Sequence, residues 1–257
     1  MPRIRVGWVA AGLMFLSSLS WICCGTTTAD DGSMFTVGGA VRLMSENKHV
    51  RMLSEVVRAH VSREDYEAVV DCEFVMKNEG PADTVLVGFP DGARGLDSHQ
   101  EEIGSFRSWV DGVEAECRRL PEADSTSDES DAPTWWTKRV VFPQGAVRVI
   151  RDRYTVAPGR MYGASGEATC AFWYVLWTGA SWKGTIGSAD ISVTLDDVPP
   201  ELVTGTMPPV VRDGRTYRWS FKDFEPGFAD GSPEGIGVHW QESPPTEAAA
   251  DPDSTQR

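Results

Sequence analysis

Residues 170–195, C-A-F-W-Y-V-L-W-T-G-A-S-W-K-G-T-I-G-S-A-D-I-S-V-T-L, decide the fold. They form the chain's densest run of aromatic and β-branched residues, the types that favour strands. In 170–177 both alternating sets are apolar: Cys170, Phe172, Tyr174 and Leu176 on one face, Ala171, Trp173, Val175 and Trp177 on the other. A strand apolar on both faces reads as central and covered. In 189–196 the alternation is clean, with Ala189, Ile191, Val193 and Leu195 opposite Asp190, Ser192, Thr194 and Asp196. That pattern makes a strand with one wet face. The glycine-punctuated loop between them holds Thr178, Gly179, Trp182, Lys183, Gly184 and Gly187.

Outward from this stretch the same period of two recurs. Strands are expected at 50–61, 66–77, 84–89, 135–142, 146–156, 216–224 and 236–241. In 66–77, Tyr66, Ala68, Val70, Cys72, Phe74 and Met76 share one face. In 216–224, Tyr217, Trp219 and Phe221 do the same. Residues 35–43 contain Gly38-Gly39, a tight turn or bulge, and 204–209 read as a loop. The most specific local signal is Asp111-Gly112, which supplies the two φ > 0 residues of a type I′ turn inside 106–117. No helical periodicity is sustained over ten residues. The expectation is therefore an all-β protein with little helix, built as antiparallel β-sandwich, either one elongated sandwich or two small ones packed end to end.

The first 29 residues read as an export signal. Arg3 and Arg5 precede the uncharged apolar run 6–24, and Thr27-Thr28-Ala29 offers the small residues a signal peptidase needs. A lipid-bearing Cys23 or Cys24 and an uncleaved anchor are the alternatives, and all three routes send the rest of the chain across a membrane, into the periplasm or the extracellular space. The formal charge is −14; without Arg3 and Arg5, 22 basic residues face 38 acidic ones, a charge of −16. Such a balance argues against nucleic acid or an anionic membrane surface as partner. Membrane attachment is expected only through the N-terminus. Two segments, 121–134 and 243–257, carry acids, prolines and small residues with nothing to bury, and read as a disordered linker and tail. They divide the chain into a β-sandwich region at 30–120 and another at 135–242. Cys72, Cys117 and Cys170 allow at most one internal disulfide, and no pairing follows from sequence.

No residue pattern spells out a reaction. His49, His60, His99 and His239 stand apart, without H-E-x-x-H or C-x-x-C, so neither zinc nor any other cofactor is expected. The segments 163–166 and 179–182 both miss the G-x-S-x-G elbow. Asp196-Asp197 and Asp223 with Glu225 lack the spacing of a dedicated calcium loop. A glycosidase-type carboxylate pair drawn from Asp190, Asp196 or Asp197 near the aromatic loop is the one catalytic alternative, a secreted glycan hydrolase. Solvated strand faces and turns account for those carboxylates better. The aromatic loops remain. Trp182 beside Lys183 and Thr178, and Tyr162 in another glycine-rich loop, could stack on a sugar or anchor a partner protein. The competing and favoured reading folds Trp182 back as a plug for the end of the sandwich, since large aromatics mostly end up buried.

Several of these pieces together resemble an uncharacterised family of exported bacterial domains, a domain of unknown function. They are Gly38-Gly39 leading into 50–55, the strand ending at Lys77-Asn78, Val87-Gly88-Phe89-Pro90, and above all T-G-x-x-W-K-G-x-I-G at 178–187, followed by Trp219-x-Phe221-x-x-Phe224-Glu225-Pro226. The resemblance covers most of the chain beyond the leader and implies a secreted β-rich protein, with no activity, ligand or catalytic residue to carry over. The order of Gly88-Phe89-Pro90, the D-G hairpin and Val141-Phe142-Pro143 before a tyrosine-bearing strand is also similar to the VIT-type sandwich, which bears on the fold alone. The resulting expectation is a non-catalytic module of the cell envelope or extracellular space that contacts a protein or glycan through its loop aromatics.

Overall fold

Alternation of apolar and polar side chains makes strands of nearly every described segment. The structure, a computed structural model, describes residues 42–44, 49–91, 103–121, 134–163, 167–208, 210–226 and 234–242. In order the strands are β1 (Arg42–Leu43), β2 (Val50–Ser62), β3 (Glu67–Asn78), β4 (Asp83–Pro90), β5 (Ser105–Val110), β6 (Val113–Glu114), β7 (Arg118–Pro121) and β8 (Thr134–Phe142). They continue with β9 (Val147–Val156), β10 (Gly159–Tyr162), β11 (Ala168–Val175), β12 (Ile186–Leu195), β13 (Val203–Met207), β14 (Val211–Asp213), β15 (Thr216–Phe224) and β16 (Gly235–Gln241). The chain is all-β: among the described residues no helix reaches seven residues, and those present are the short 3-10 turns Trp177–Ser181 and Pro200–Leu202.

Three sheets result. The long one has eight strands in the order β14-β15-β12-β2-β3-β9-β5-β6, and two four-stranded sheets run β1-β4-β8-β7 and β10-β11-β16-β13. All pairings are antiparallel except β12 with β2, which is parallel. The small sheets cover one face of the long one. Phe89 of β4 meets Tyr154 of β9 at 4.9 Å and Phe106 of β5 at 5.2 Å between ring centroids. Tyr174 of β11 reaches Glu55 of β2 at 2.6 Å. One hydrophobic cluster draws on all three sheets. Its inward row on β3 is Ala68, Val70, Cys72, Phe74 and Met76, none above 3% exposed. On β12 it is Ala189, Ile191, Val193 and Leu195. Each large side chain hidden this way stabilises the fold by roughly 1.5–3 kcal/mol relative to its exposed state.

The stretch 170–195 is where the chain passes from one layer to the other. β11 lies inside its small sheet between β10 and β16, buried on both faces as its composition demands. It ends two residues earlier than the pattern predicts. The N–H groups of Leu176 and Trp177 both donate to the Glu234 carbonyl, at 2.8 and 3.1 Å, and the chain then winds into the 3-10 turn. β12 joins the long sheet with its polar set outward.

Other elements differ from the sequence expectation. Tyr66 is the last residue of a turn, at φ 51°, so the inward row of β3 starts at Ala68. Residues 203–207 are not loop but the edge strand β13 on β16, with a register shift between Val203 and Gly205. Tyr162, expected in a loop, closes β10. Asp111 and Gly112 take φ 51° and 81° between β5 and β6, as the I′ turn requires. Residues on both sides of 122–133 share the long sheet, since β9 lies between β3 and β5 and β12 lies beside β2. Pro121 and Thr134, the ends of the expected linker, pair with each other in the β7–β8 ladder. The leader at 1–29, Gly38-Gly39, residues 122–133 and the tail at 243–257 lie outside the described residues.

Candidate functional site

The loop T-G-x-x-W-K-G-x-I-G, from which ligand contacts were expected, is a joint within the fold. Thr178 is 1% exposed and Trp182 only 4%, so Trp182 is a plug and offers no ring face to a ligand. The Lys183 N–H donates to the Val50 carbonyl at 2.9 Å, and its ammonium pairs with Glu79 at 2.8 Å. That hydrogen bond holds the Glu79 carboxyl below the usual carboxylate range. Gly184 sits at φ 62°, a backbone region that favours glycine. Gly187 has no room for a Cβ, which would run into the carbonyl of Leu53. Leu53 stands there because β2 carries a bulge between Met52 and Ser54. Tyr162 is 63% exposed, but it sits on an edge strand of a small sheet and shares no surface with the buried Trp182.

The carboxylates considered for catalysis are likewise placed by the fold. Asp197 accepts from the N–H groups of Arg63 at 2.5 Å and Glu64 at 2.6 Å, closing the turn after β2. Partial burial opposes its ionisation, yet these bonds win and keep its pKa low. Asp196 lies 3.4 Å from His60 Nδ1, and Asp190 accepts from Ser220 Oγ at 2.6 Å. Cys72, Cys117 and Cys170 are free thiols, the first and last of them buried. Among the described residues no group of three or more His, Cys, Asp or Glu side chains is arranged to hold a metal ion.

The open surface lies elsewhere, on the outer face of the long sheet. Strand alternation sends every second side chain outward, and register aligns those side chains in rows across the strands. One row runs Arg218 (β15), Ser192 (β12), Arg58 (β2), Asp71 (β3), Arg153 (β9) and Arg107 (β5). The next includes Asp190, Val56, Glu73, Arg151 and Trp109. A groove of about 410 Å³ opens there, lined by Arg58, Asp71, Glu73, Trp109, Arg151 and Arg153. Ion pairs brace its walls: Arg151 to Glu73 at 2.8 Å, and Arg153 to Asp71 at 3.4 Å. Arg107 lies over the Trp109 ring, 4.9 Å from its centroid, and grips Glu114 through two hydrogen bonds of 3.0 and 3.1 Å. A second depression of similar volume, beside Leu86, Arg118 and Leu120, sits on the outer face of a small sheet without a comparable aromatic wall.

Apart from Asp190, sequence reasoning singled out none of these groups as part of a site. The outward alternation of Arg58, Asp71, Arg151 and Arg153 is visible in the residues. Their alignment is not, because it depends on pairings between strands far apart in the chain. The arrangement can hold a polar ligand by charge and hydrogen bonds, with one aromatic ring at its border.

No family model matches the sequence, and no curated protein matches it. Among solved structures, a Legionella pneumophila protein described as a "putative nutrient binding protein" superposes with a TM-score of 0.56 at 20% identity, covering 79% of this chain and 72% of that one. The yeast LTA4 hydrolase bound to bestatin gives a TM-score of 0.44 at 12% identity over 76% of this chain and 29% of that one. An M1 zinc metallopeptidase from Deinococcus radiodurans gives 0.34 at 10% identity, covering 75% of this chain and 42% of its own. The likeness to the Legionella protein is one of fold.

Proposed function

We propose that this chain is an exported, non-catalytic binding module of the cell envelope or extracellular space, which holds a polar ligand, glycan or protein, on the outer face of its long sheet. The observation that carries this reading is the groove between Arg58 and Trp109, whose charged walls are braced in place by cross-strand ion pairs. The leader pattern at 1–29 supports export, and the fold shared with the Legionella protein agrees with a binding role. The loop aromatics give up their part in the proposal, since Trp182 is inside the core.

Titration of the protein with cell-wall glycans and envelope extracts, followed by tryptophan fluorescence, tests this. At least one ligand should bind the wild type and lose affinity in a Trp109→Ala variant. A panel in which nothing binds, or in which all binding ignores Trp109, sinks the proposal.

A further inference from the structure

The row of arginines is not uniformly neutralised. Arg153 and Arg107 have carboxylate partners in Asp71 and Glu114. Arg58 and Arg218 are exposed, and among the described residues neither has an acidic partner. They flank Ser192, each paired in register with it from opposite sides. Two strand spacings put their Cα atoms roughly 10 Å apart on one face. The surface around them is rich in hydroxyls. Thr194 and Thr216 hydroxyls lie 3.0 Å apart, and Ser220 bonds Asp190 at 2.6 Å. Asp71 stands in register beside Arg58 but is held by Arg153, Asp190 on the same face is held by Ser220, and the Ser192 hydroxyl donates to the Val57 carbonyl at 3.3 Å, which leaves the Arg58 and Arg218 guanidinium groups as the ones open to an anion.

We propose that Arg58, Ser192 and Arg218 form a binding site for an anionic polysaccharide, each guanidinium taking one carboxylate or sulfate of the chain and Ser192 lying under the sugar between them. The inference rests on the reading of the outer face as a binding surface. A glycan suits the site better than the other polyanions. Nucleic acid, with a phosphate on every nucleotide, needs a longer run of cations than the two this site offers. A lipid surface needs exposed apolar side chains, and this face offers serines and threonines. An extended acidic peptide docks by adding to a free strand edge, whereas β12 and β2 are interior strands whose backbone groups are already paired. Anions two strands apart with a hydroxyl-lined gap between them fit a polymer bearing one charge per disaccharide.

The test compares hyaluronan oligosaccharides, with one carboxylate per disaccharide, with oligogalacturonate, charged on every sugar, and with neutral dextran. The wild type should bind hyaluronan, bind it more weakly as salt is raised, and leave dextran unbound. An Arg58→Gln, Arg218→Gln double variant should weaken hyaluronan binding by about tenfold or more, as expected for losing two charge-assisted contacts, while its thermal unfolding stays at the wild-type value. An Arg58→Lys, Arg218→Lys variant should keep part of the affinity. Equal hyaluronan binding by wild type and the glutamine variant overturns the inference. So does preference for oligogalacturonate or dextran. If no polyanion binds yet an envelope component does so in a Trp109-dependent way, the inference falls and the module reading survives. If nothing binds at all, both fall.

Discussion

Tyr174 of β11 donates a 2.6 Å hydrogen bond to Glu55 Oε1 of β2 across the interior of the sandwich, and both side chains are completely buried. Among the described residues the second carboxylate oxygen, Oε2, has no hydrogen-bond partner, nor does the nearby Tyr154 hydroxyl. Cys72 Sγ lies 3.9 Å from the Tyr174 hydroxyl. Burial outweighs the tyrosine bond and pushes the Glu55 carboxyl up to about 7. The same burial, with the nearby carboxylates, raises the Cys72 thiol and the two tyrosines further above their usual ranges.

This makes stability depend on pH. An acid whose folded pKa lies above its unfolded value favours the folded state fully below the unfolded pKa, near 4.5, and loses that advantage as pH rises through about 7. Above that range the folded state holds a buried carboxylate at a penalty of about 3 kcal/mol relative to acid conditions. Glu55→Gln keeps the shape and the tyrosine bond without the charge. Urea unfolding at pH 5 should give nearly equal midpoints for the two proteins, and at pH 8 the variant should be the more stable. Parallel profiles across that range would falsify the assignment.

A second interior charge is compensated. Lys138 Nζ of β8 donates to both carboxylate oxygens of Asp152 on β9, at 2.5 and 2.7 Å, with 1% and 0% of the side chains exposed. The pair ties a small sheet to the long one. Removing one partner strands the other charge in the core. Lys138→Met should therefore destabilise by about 3–5 kcal/mol, while Lys138→Met with Asp152→Leu should be much milder. Chemical denaturation of the two variants checks this. A double variant no better than the single one would show that the pair's value lies in shape and not in charge balance.

Glu55 also marks where sequence reading stops. The strands themselves were legible, because alternation of apolar and polar residues is a local property. In V-R-M-L-S-E-V-V-R-A-H-V the inward set starts as Val50 and Met52 and resumes as Glu55, Val57, Ala59 and Val61. The shift is the bulge at Leu53, and nothing in the residues announces it. The long-range pairings were equally hidden: β2 meets β12 across most of the chain, and in parallel. The arginine row depends on those pairings, so it could not be read either. The T-G-x-x-W-K-G-x-I-G stretch was legible as a special segment, and the favoured reading of Trp182 as a plug agrees with its burial. Its glycines serve a left-handed turn at Gly184 and a close approach at Gly187, and its tryptophan fills the core.

Trp182 therefore supports a stability prediction and not a binding one. Trp182→Ala should cost about 3–5 kcal/mol through the cavity it leaves. Lys183→Ala, whose ion pair with Glu79 is exposed to solvent, should leave the unfolding midpoint almost unchanged. Calorimetry of both variants separates the two roles. A mild Trp182→Ala would mean the joint between β11 and β12 is closed by something else.

The glycines of β16 give a test of coupling. Trp173 lies along that strand on the outer face of the small sheet. A Cβ at Gly237 would strike its Cε3 and Cζ3 edge, and a Cβ at Gly235 its Nε1 and Cε2 edge. Those are opposite edges of the indole, so the ring lies face down over the two glycines. Glycine inside a strand is usually a weak point, and replacing it usually helps. Here Gly237→Ala should destabilise, because the ring has to lift or shift. In a Trp173→Ala background the ring is gone and only the Phe172 carbonyl stays close, at 3.3 Å, so the same substitution should cost clearly less. The double-mutant cycle should then show a coupling of roughly 1 kcal/mol or more, as residues in direct contact do. Additive effects of the two substitutions would mean the indole does not rest on the glycines.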